Sequence, residues 1–310
     1  MSGSGNSTTV APPQAAGRLA TLPPELLIIG GTISVQFGAG VASSLIGEFG
    51  PLPVVAMRTV FGAALLLLFQ RAHVRGASRG ALLACVGLGL ILAAMNSLFY
   101  VALSRIPLGV AVTIEFWGPL AVAVLGSRRA LDLVWVILAG AGIYVLAGGR
   151  LMADDAIGVI AAAASGLCWA IYIGVAGKVA HYWPDQRGLT LAMLVATALI
   201  LPVAVVFAGS DVRPLLTAPL ALAGGAVVAL FSSAIPYTVE IAALGRMRAA
   251  TFGVLMSLEP AIAAGVGFVL LGQVLGAQEL IAIACVALAS AGASLSARRL
   301  VTAPGTLESA

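Results

Sequence analysis

Charge is the scarcest commodity in this chain. Asp, Glu, Lys and Arg make up only 9% of its 310 residues, against about a quarter in soluble domains. A water-facing globular surface cannot be built from that supply. Cysteine is nearly absent. Cys85, Cys168 and Cys285 each fall inside apolar runs, at spacings that fit neither a metal site nor a disulfide framework. They read as packing residues. The two histidines, His73 and His181, both lie in loops, which leaves no serine–histidine pair and no metal-spaced His and carboxylate cluster inside the apolar segments. No Asp falls within those segments beyond Asp132 at the very start of one, so the usual motif of an intramembrane aspartyl protease is missing. No phosphate-binding loop pattern occurs, which argues against ATP-driven pumping by this chain alone. The net charge of +4 is too small to suggest a nucleic-acid partner. Nothing calls for an enzyme, a metal or a cofactor.

What is present is hydrocarbon. Hydrophobic residues make up 61% of the chain and the mean hydropathy is +1.09. A helix needs about 20 largely apolar residues to cross a bilayer. Ten segments qualify: 26–46, 52–70, 80–102, 107–126, 132–148, 156–177, 188–208, 217–238, 249–270 and 278–296. The reading is an all-α membrane protein with short loops and no room for a further domain. Residues 1–25 are rich in Ser, Gly, Thr, Ala and Pro and lack the basic stretch and apolar core of a secretory signal. They read as a disordered cytoplasmic tail, and residues 298–310 as a second one. The glycosylation-type triplet Asn6-Ser7-Thr8 is treated as a chance match.

The sequence also repeats itself. Ala102-Leu103-Ser104-Arg105 precedes a segment containing Pro119, and Ala243-Leu244-Gly245-Arg246 precedes one containing Pro260, both at an offset of 141 residues. Each half, 26–148 and 156–297, then holds five spans. Five is odd, so the second copy must enter the membrane upside down. Inverted repeats of this kind are a signature of secondary transporters. The basic residues give an independent test. With the N-terminus in the cytoplasm, twelve of them fall on the cytoplasmic side and only Arg105, Arg150 and Arg213 on the other. That bias fits the positive-inside rule and puts both termini inside. Arg105 and Arg246 match in the repeat yet land on opposite faces.

Away from the span starts, where Asp132 and Glu279 lie, four charges stand out: Arg58, Glu115 and Glu259 within spans and Glu240 just past the end of the eighth. A charge near the bilayer centre costs a few kcal/mol on insertion scales, so it faces a partner or a cavity. Two of the acids sit by prolines, in Glu115-Phe-Trp-Gly-Pro119 and Leu258-Glu259-Pro260. Proline frees a backbone carbonyl one turn earlier, and broken helices near the midplane often build transporter sites. Such a carboxylate either binds a substrate ammonium or carries a proton; the plainer reading is a buried helix-to-helix hydrogen bond. Glu240 follows Pro236 and Tyr237 near a span end, where it either joins the site or faces a cytoplasmic vestibule. Arg58 is either a counter-ion for an acid or a ligand for a substrate carboxylate, and needs an acidic partner in both cases. Asn96 and Tyr100 are four apart, and Trp169 and Tyr172 three apart, so each pair shares a helix side. These four are candidates to line the path. Trp135 and Trp183 read as interfacial anchors, and the 37 glycines as close-packing positions.

Several strings carry a family resemblance. The run from Asn96 through Tyr100, Arg105, Gly109 and Glu115 to Pro119, and the second copy Thr251-Phe-Gly-Val-Leu-Met-Ser-Leu-Glu259-Pro260-Ala, resemble the drug/metabolite transporter superfamily, EamA type. Ser127-Arg-Arg-Ala-Leu-Asp-Leu-Val-Trp135, Gly166-Leu-Cys-Trp169-Ala-Ile-Tyr-Ile and Ile235-Pro-Tyr-Thr-Val-Glu240 are similar to its bacterial inner-membrane threonine and homoserine exporter subgroup. The resemblance runs from about residue 26 to 297. It implies ten transmembrane helices in two inverted five-helix halves around a central cavity, exporting a small amino acid by alternating access with proton coupling. It assigns Glu115 and Glu259 to the signature acids and Arg58 to an arginine often found in the second span. The first copy departs from the family's Glu-Pro pairing, because Glu115 lies one turn before Pro119; the two acids can then have different roles. The alternatives are a multidrug or cationic-metabolite exporter on the same scaffold, or a membrane scaffold or receptor that moves nothing. The oligomeric state is not readable.

Overall fold

A computed structural model describes residues 21–69, 74, 76–125, 130–147, 155–183, 187–208, 218–236, 239, 243, 246, 247 and 249–301. Among these all regular structure is helical, with no strand. Helix α1 spans Pro24–Phe49, α2 Pro51–Phe69 and α3 Arg79–Leu103. The fourth apolar segment is split into α4, Leu108–Glu115, and α5, Trp117–Leu125. Helix α6 runs Ala130–Ala147, α7 Ala156–Tyr182 and α8 Arg187–Ala208. Helix α9, Pro219–Ala229, passes into a π-helical turn, Leu230–Ala234. The ninth segment is split as well, into α10, Ala249–Met256, and α11, Glu259–Leu271; α12 is Ala277–Val301. Each of the ten apolar segments thus holds a helix, a helix pair or, in the eighth, a helix with its π turn. Among the described residues six helical stretches are long and apolar enough to cross a membrane, including Arg79–Leu103, Ala156–Tyr182 and Thr251–Leu271.

The two breaks have one physical cause. A proline cannot donate to the carbonyl four residues back, and its ring crowds that carbonyl. Helix α4 ends at Glu115, four before Pro119, and α10 ends at Met256, four before Pro260. Pro260 then occupies the first turn of α11, where its missing N–H would be unbonded anyway.

Packing follows a regular scheme. Helix α3 lies on α7, and α1 on α9; α4 and α5 lie on α7, and α10 and α11 on α1. Helix α8 contacts both α3 and α2, α2 also contacts α9, and α6 pairs with α12. Small residues set the closest approaches, as in lipid-embedded bundles. A Cβ on Gly109 would stand 2.7 Å from Ala264 Cα, so α4 and α11 meet almost backbone to backbone. A Cβ on Gly118 of α5 would run into the Gly166 carbonyl of α7.

The end of the bundle at the start of α4 is tied across the chain. Gln273 Oε1 accepts from the Leu108 backbone N–H at 3.0 Å, capping a helix start that has no side-chain cap of its own. Arg105 pairs with Asp155 at 3.4 Å, and Asp155 also caps α7 through Gly158 N–H. One expectation changes here. Trp183 is no interfacial anchor: it is buried against Cys85 and Ala192, with the Arg187 guanidinium over its ring. Gly188 permits this, because a Cβ there would meet Trp183. Trp135 instead packs on Gly292 of α12, where no side chain would fit beneath the indole. The three cysteines are free thiols; Cys85 is buried and the other two are half-buried.

Candidate functional site

Between the helices lies a cavity of about 130 Å³. Its polar wall is made by Gln36 of α1, Arg58 of α2, Asn96 of α3, Glu115 of α4, Ser232 of the π turn and Glu259 of α11. Trp169 of α7 and Phe99 of α3 supply aromatic surface. Side chains from seven parts of the chain therefore converge on a space that each helix alone would leave unfilled.

Glu115 is the last residue of α4, and Glu259 the first of α11, so each acid sits at a proline break. Both are more than nine-tenths buried. Ser165 Oγ of α7 lies 2.5 Å from Glu115 Oε1 and 3.0 Å from the Met95 carbonyl. A serine hydroxyl has one proton, so it can serve only one of these acceptors at a time. Glu259 Oε1 accepts from Gln36 Nε2 at 3.0 Å. The two carboxylates thus rest on different neutral partners, a hydroxyl on α7 and an amide on α1.

Arg58 has no carboxylate in direct contact among the described residues. Its Nη1 donates to Tyr100 Oη at 3.4 Å, its Nη2 to the Ser232 carbonyl at 3.5 Å, and the guanidinium lies 5.7 Å from the Tyr100 ring centre. The acidic partner expected from sequence is present only as a fellow wall residue, across the cavity. Long, part-buried bonds leave donors of the fork to turn inward.

The π turn explains the remaining geometry. Widening a helix by one residue per turn misaligns its carbonyls, and such turns are frequent at functional sites. Here Ser34 Oγ donates to the Phe231 carbonyl at 2.7 Å, and Arg58 takes the Ser232 carbonyl. Phe37 meets Phe231 in a tilted arrangement with ring centres 4.8 Å apart. Gly38 is the contact point: a Cβ there would run into Ser232 Oγ.

Of the eight residues expected from sequence, Arg58, Asn96, Glu115, Trp169 and Glu259 face one cavity. Asn96 gives one amide proton to the Leu92 carbonyl at 2.7 Å, and Trp169 meets Phe116 edge to face. Tyr100 is fully buried behind Arg58 rather than at the wall. Tyr172 packs with the cluster around Cys85 and Ala192. Glu240 lies outside the described residues. Gln36, Ser165 and Ser232 join the site without being expected from sequence. Gln36 has a signal, being an amide in the middle of a long apolar run; the two serines have none.

Comparison with known proteins now bears on what this architecture is. Residues 156–295 match the EamA-like transporter family. The threonine/homoserine exporter RhtA of Salmonella typhimurium strain LT2 is 36% identical over 289 residues, 93% of this chain and 96% of its own. The chain belongs to the EamA-like transporter family. The RhtA of Escherichia coli K12 is 36% identical over 288 residues, 91% of this chain and 96% of its own. A solved crystal structure aligns with 89% of this chain and 98% of its own, at a TM-score of 0.52 and 21% identity. That likeness bears on the fold alone. As an EamA-like transporter, the chain is a membrane protein that moves a solute, not an enzyme.

Proposed function

We propose that this chain is an inner-membrane, proton-coupled exporter of small hydroxylated amino acids, of the threonine and homoserine kind, working by alternating access. The observation that carries the reading is the cavity, which holds charge of both signs in a small volume. A zwitterion needs a cation for its carboxylate and an anion for its ammonium; Arg58 supplies the first, Glu259 and Glu115 the second. About 130 Å³ falls short of the roughly 300–1,000 Å³ of drug-sized pockets, which weighs against a multidrug exporter. Arg58 weighs against a cation path. The names of the 36%-identical relatives support the substrate class.

Glu115 is the proposed proton carrier. When it is ionised, Ser165 donates to it. When it is protonated, its own O–H donates to Ser165 Oγ, and Ser165 turns to the Met95 carbonyl. The hydroxyl has a use for its proton in both states, so loading and unloading Glu115 strands no donor. Glu259, held by the amide of Gln36, is the proposed ammonium ligand.

The proposed architecture is ten transmembrane helices in two inverted halves, 26–148 and 156–297, with both termini in the cytoplasm. The packing scheme supports it. Matching α1 with α7, α2 with α8, α3 with α9, α4/α5 with α10/α11 and α6 with α12 exchanges the contacts in pairs: α3 on α7 becomes α9 on α1, and α2 on α8 maps onto itself. Some contacts break the exchange, one of them between the two broken segments. Helix α4 packs on α11, whereas its counterpart, α5 on α10, has no comparable contact among the described residues. An inverted repeat that is closed at one face and looser at the other is the arrangement alternating access requires. With the proposed orientation, the closed face is the outer one.

Expression in a threonine-sensitive host tests the reading. Tolerance and efflux of labelled threonine should rise over an empty vector. Unchanged tolerance and efflux across a panel of amino acids, with dye efflux raised instead, would move the assignment to the multidrug alternative.

A further inference from the structure

The charged groups of the cavity recognise what all amino acids share, an ammonium and a carboxylate. They cannot tell threonine from its neighbours. Discrimination has to come from neutral polar atoms, and two of these are left without a partner. Gln36 Oε1 and Ser232 Oγ make no hydrogen bond among the described residues, although Gln36 is 2% and Ser232 7% exposed. A buried polar atom left unsatisfied costs about 1–3 kcal/mol, so two on one cavity wall mark a missing ligand group. The orientation of the Gln36 amide is fixed by chemistry: Nε2 must face Glu259 Oε1, since two oxygens would repel, and Oε1 is therefore the free end. The pair then offers an acceptor at Gln36 and a donor or acceptor at Ser232. A hydroxyl, which donates once and accepts, is complementary to both.

We infer that Gln36 Oε1 and Ser232 Oγ form the subsite for the substrate's side-chain hydroxyl, and that they set the selectivity of the transporter. This rests on the amino-acid export reading above. The substrate hydroxyl donates to Gln36 Oε1 and accepts from Ser232 Oγ, while its aliphatic carbons lie along Val35, Ala39 and Val112. The π turn is part of the device, because it carries Ser232 against α1 at a point that only a glycine, Gly38, leaves open. A site built to hydrogen-bond a hydroxyl rejects the analogue lacking it strongly, since its own polar atoms would again be stranded.

The test is counterflow in liposomes reconstituted with the full chain, using threonine, homoserine and 2-aminobutyrate, which lacks the hydroxyl of both. Wild type should prefer the hydroxylated pair. In Ser232→Ala and Gln36→Met the threonine to 2-aminobutyrate ratio should fall at least tenfold, chiefly through loss of threonine transport. Gly38→Ala, which displaces Ser232 without altering it, should lower the ratio in the same direction. Parallel loss of both substrates, or an unchanged ratio in variants that remain monodisperse, overturns the subsite while leaving amino-acid export intact. A wild type that moves none of the three overturns the export reading and the subsite together.

Discussion

The two proline-broken segments match at an offset of 141 residues, and their differences are informative. Both break four residues before the proline, at Glu115 and at Met256. Yet the acids sit on opposite sides of the break: Glu115 ends α4, and Glu259 opens α11. The position that carries Glu259 is occupied in the first copy by Gly118. The structure gives the reason. Gly118 lies against the backbone of Gly166, where even a methyl group would meet the carbonyl oxygen. The first copy cannot hold an acid beside its proline, so the carboxylate is moved one turn back, where Ser165 meets it. The departure from the family's Glu-Pro pairing is thus a packing constraint that separates the acids and allows them different roles.

The strongest way to break this comparison is to make the copies alike. Gly118→Glu places an acid where the second half has one, and α5 can no longer reach α7. No folded, monodisperse protein is expected on size exclusion in detergent. Gly118→Ala tests the same contact with one methyl. Overpacking of this kind costs about 1–3 kcal/mol, read as reduced thermal stability, with the loss centred on the α5–α7 contact. A well-folded Gly118→Glu would remove the packing explanation.

The next test separates the acids by function. Glu115→Gln should reduce gradient-driven efflux of threonine about a hundredfold while substrate exchange without net proton movement continues. Glu259→Gln should weaken apparent substrate affinity about tenfold to a hundredfold, since hydrogen bonds to charged groups contribute about 1.5–3 kcal/mol. If both variants lose coupling and affinity to the same extent, the acids act as one unit and the division fails.

Much of this architecture is legible in the amino-acid sequence. Crossing hydrocarbon forces about 20 apolar residues into helix, so the segment ends lie within a few residues of the helix ends. The prolines mark both breaks, because the geometric penalty is local. Buried charge is expensive, which singles out Arg58, Glu115 and Glu259. Direction is harder. Trp169 and Tyr172 are three residues apart, so they diverge by about 60° around a 3.6-residue helix; one reaches the cavity and the other the Cys85 cluster. Ser165 and Ser232 are invisible, since a serine in a small-residue helix costs little and has no pattern. The π turn is invisible as well, because it is fixed by Ser34, Arg58 and Gly38, from helices far away in sequence.

A smaller effect sharpens the Glu115 side. Ser165→Ala removes the hydroxyl that serves Glu115 in both proton states, and one neutral hydrogen bond contributes about 0.5–1.5 kcal/mol. Gradient-driven efflux should fall two- to tenfold with little change in substrate affinity, measured in the same vesicles. An affinity change instead would place Ser165 with the substrate rather than with the proton.

The smallest effect belongs to the contact between α4 and α11. Gln273 follows the left-handed cap at Gly272, its own N–H bonds the Gly267 carbonyl, and its side chain caps Leu108 at the start of α4. It therefore ties the end of α11 to the start of α4, next to the close approach of Gly109 and Ala264. Gln273→Ala should cost about 1 kcal/mol as the loss of one hydrogen bond, a shift of a few degrees in detergent. The functional consequence is more specific than the stability one. If the tie exists only while this face is closed, its loss favours the open state, and a cysteine in place of the fully buried Leu108 should label faster from the outside in Gln273→Ala than in its parent. Equal labelling would mean that the tie persists through the cycle and that the closed face opens elsewhere.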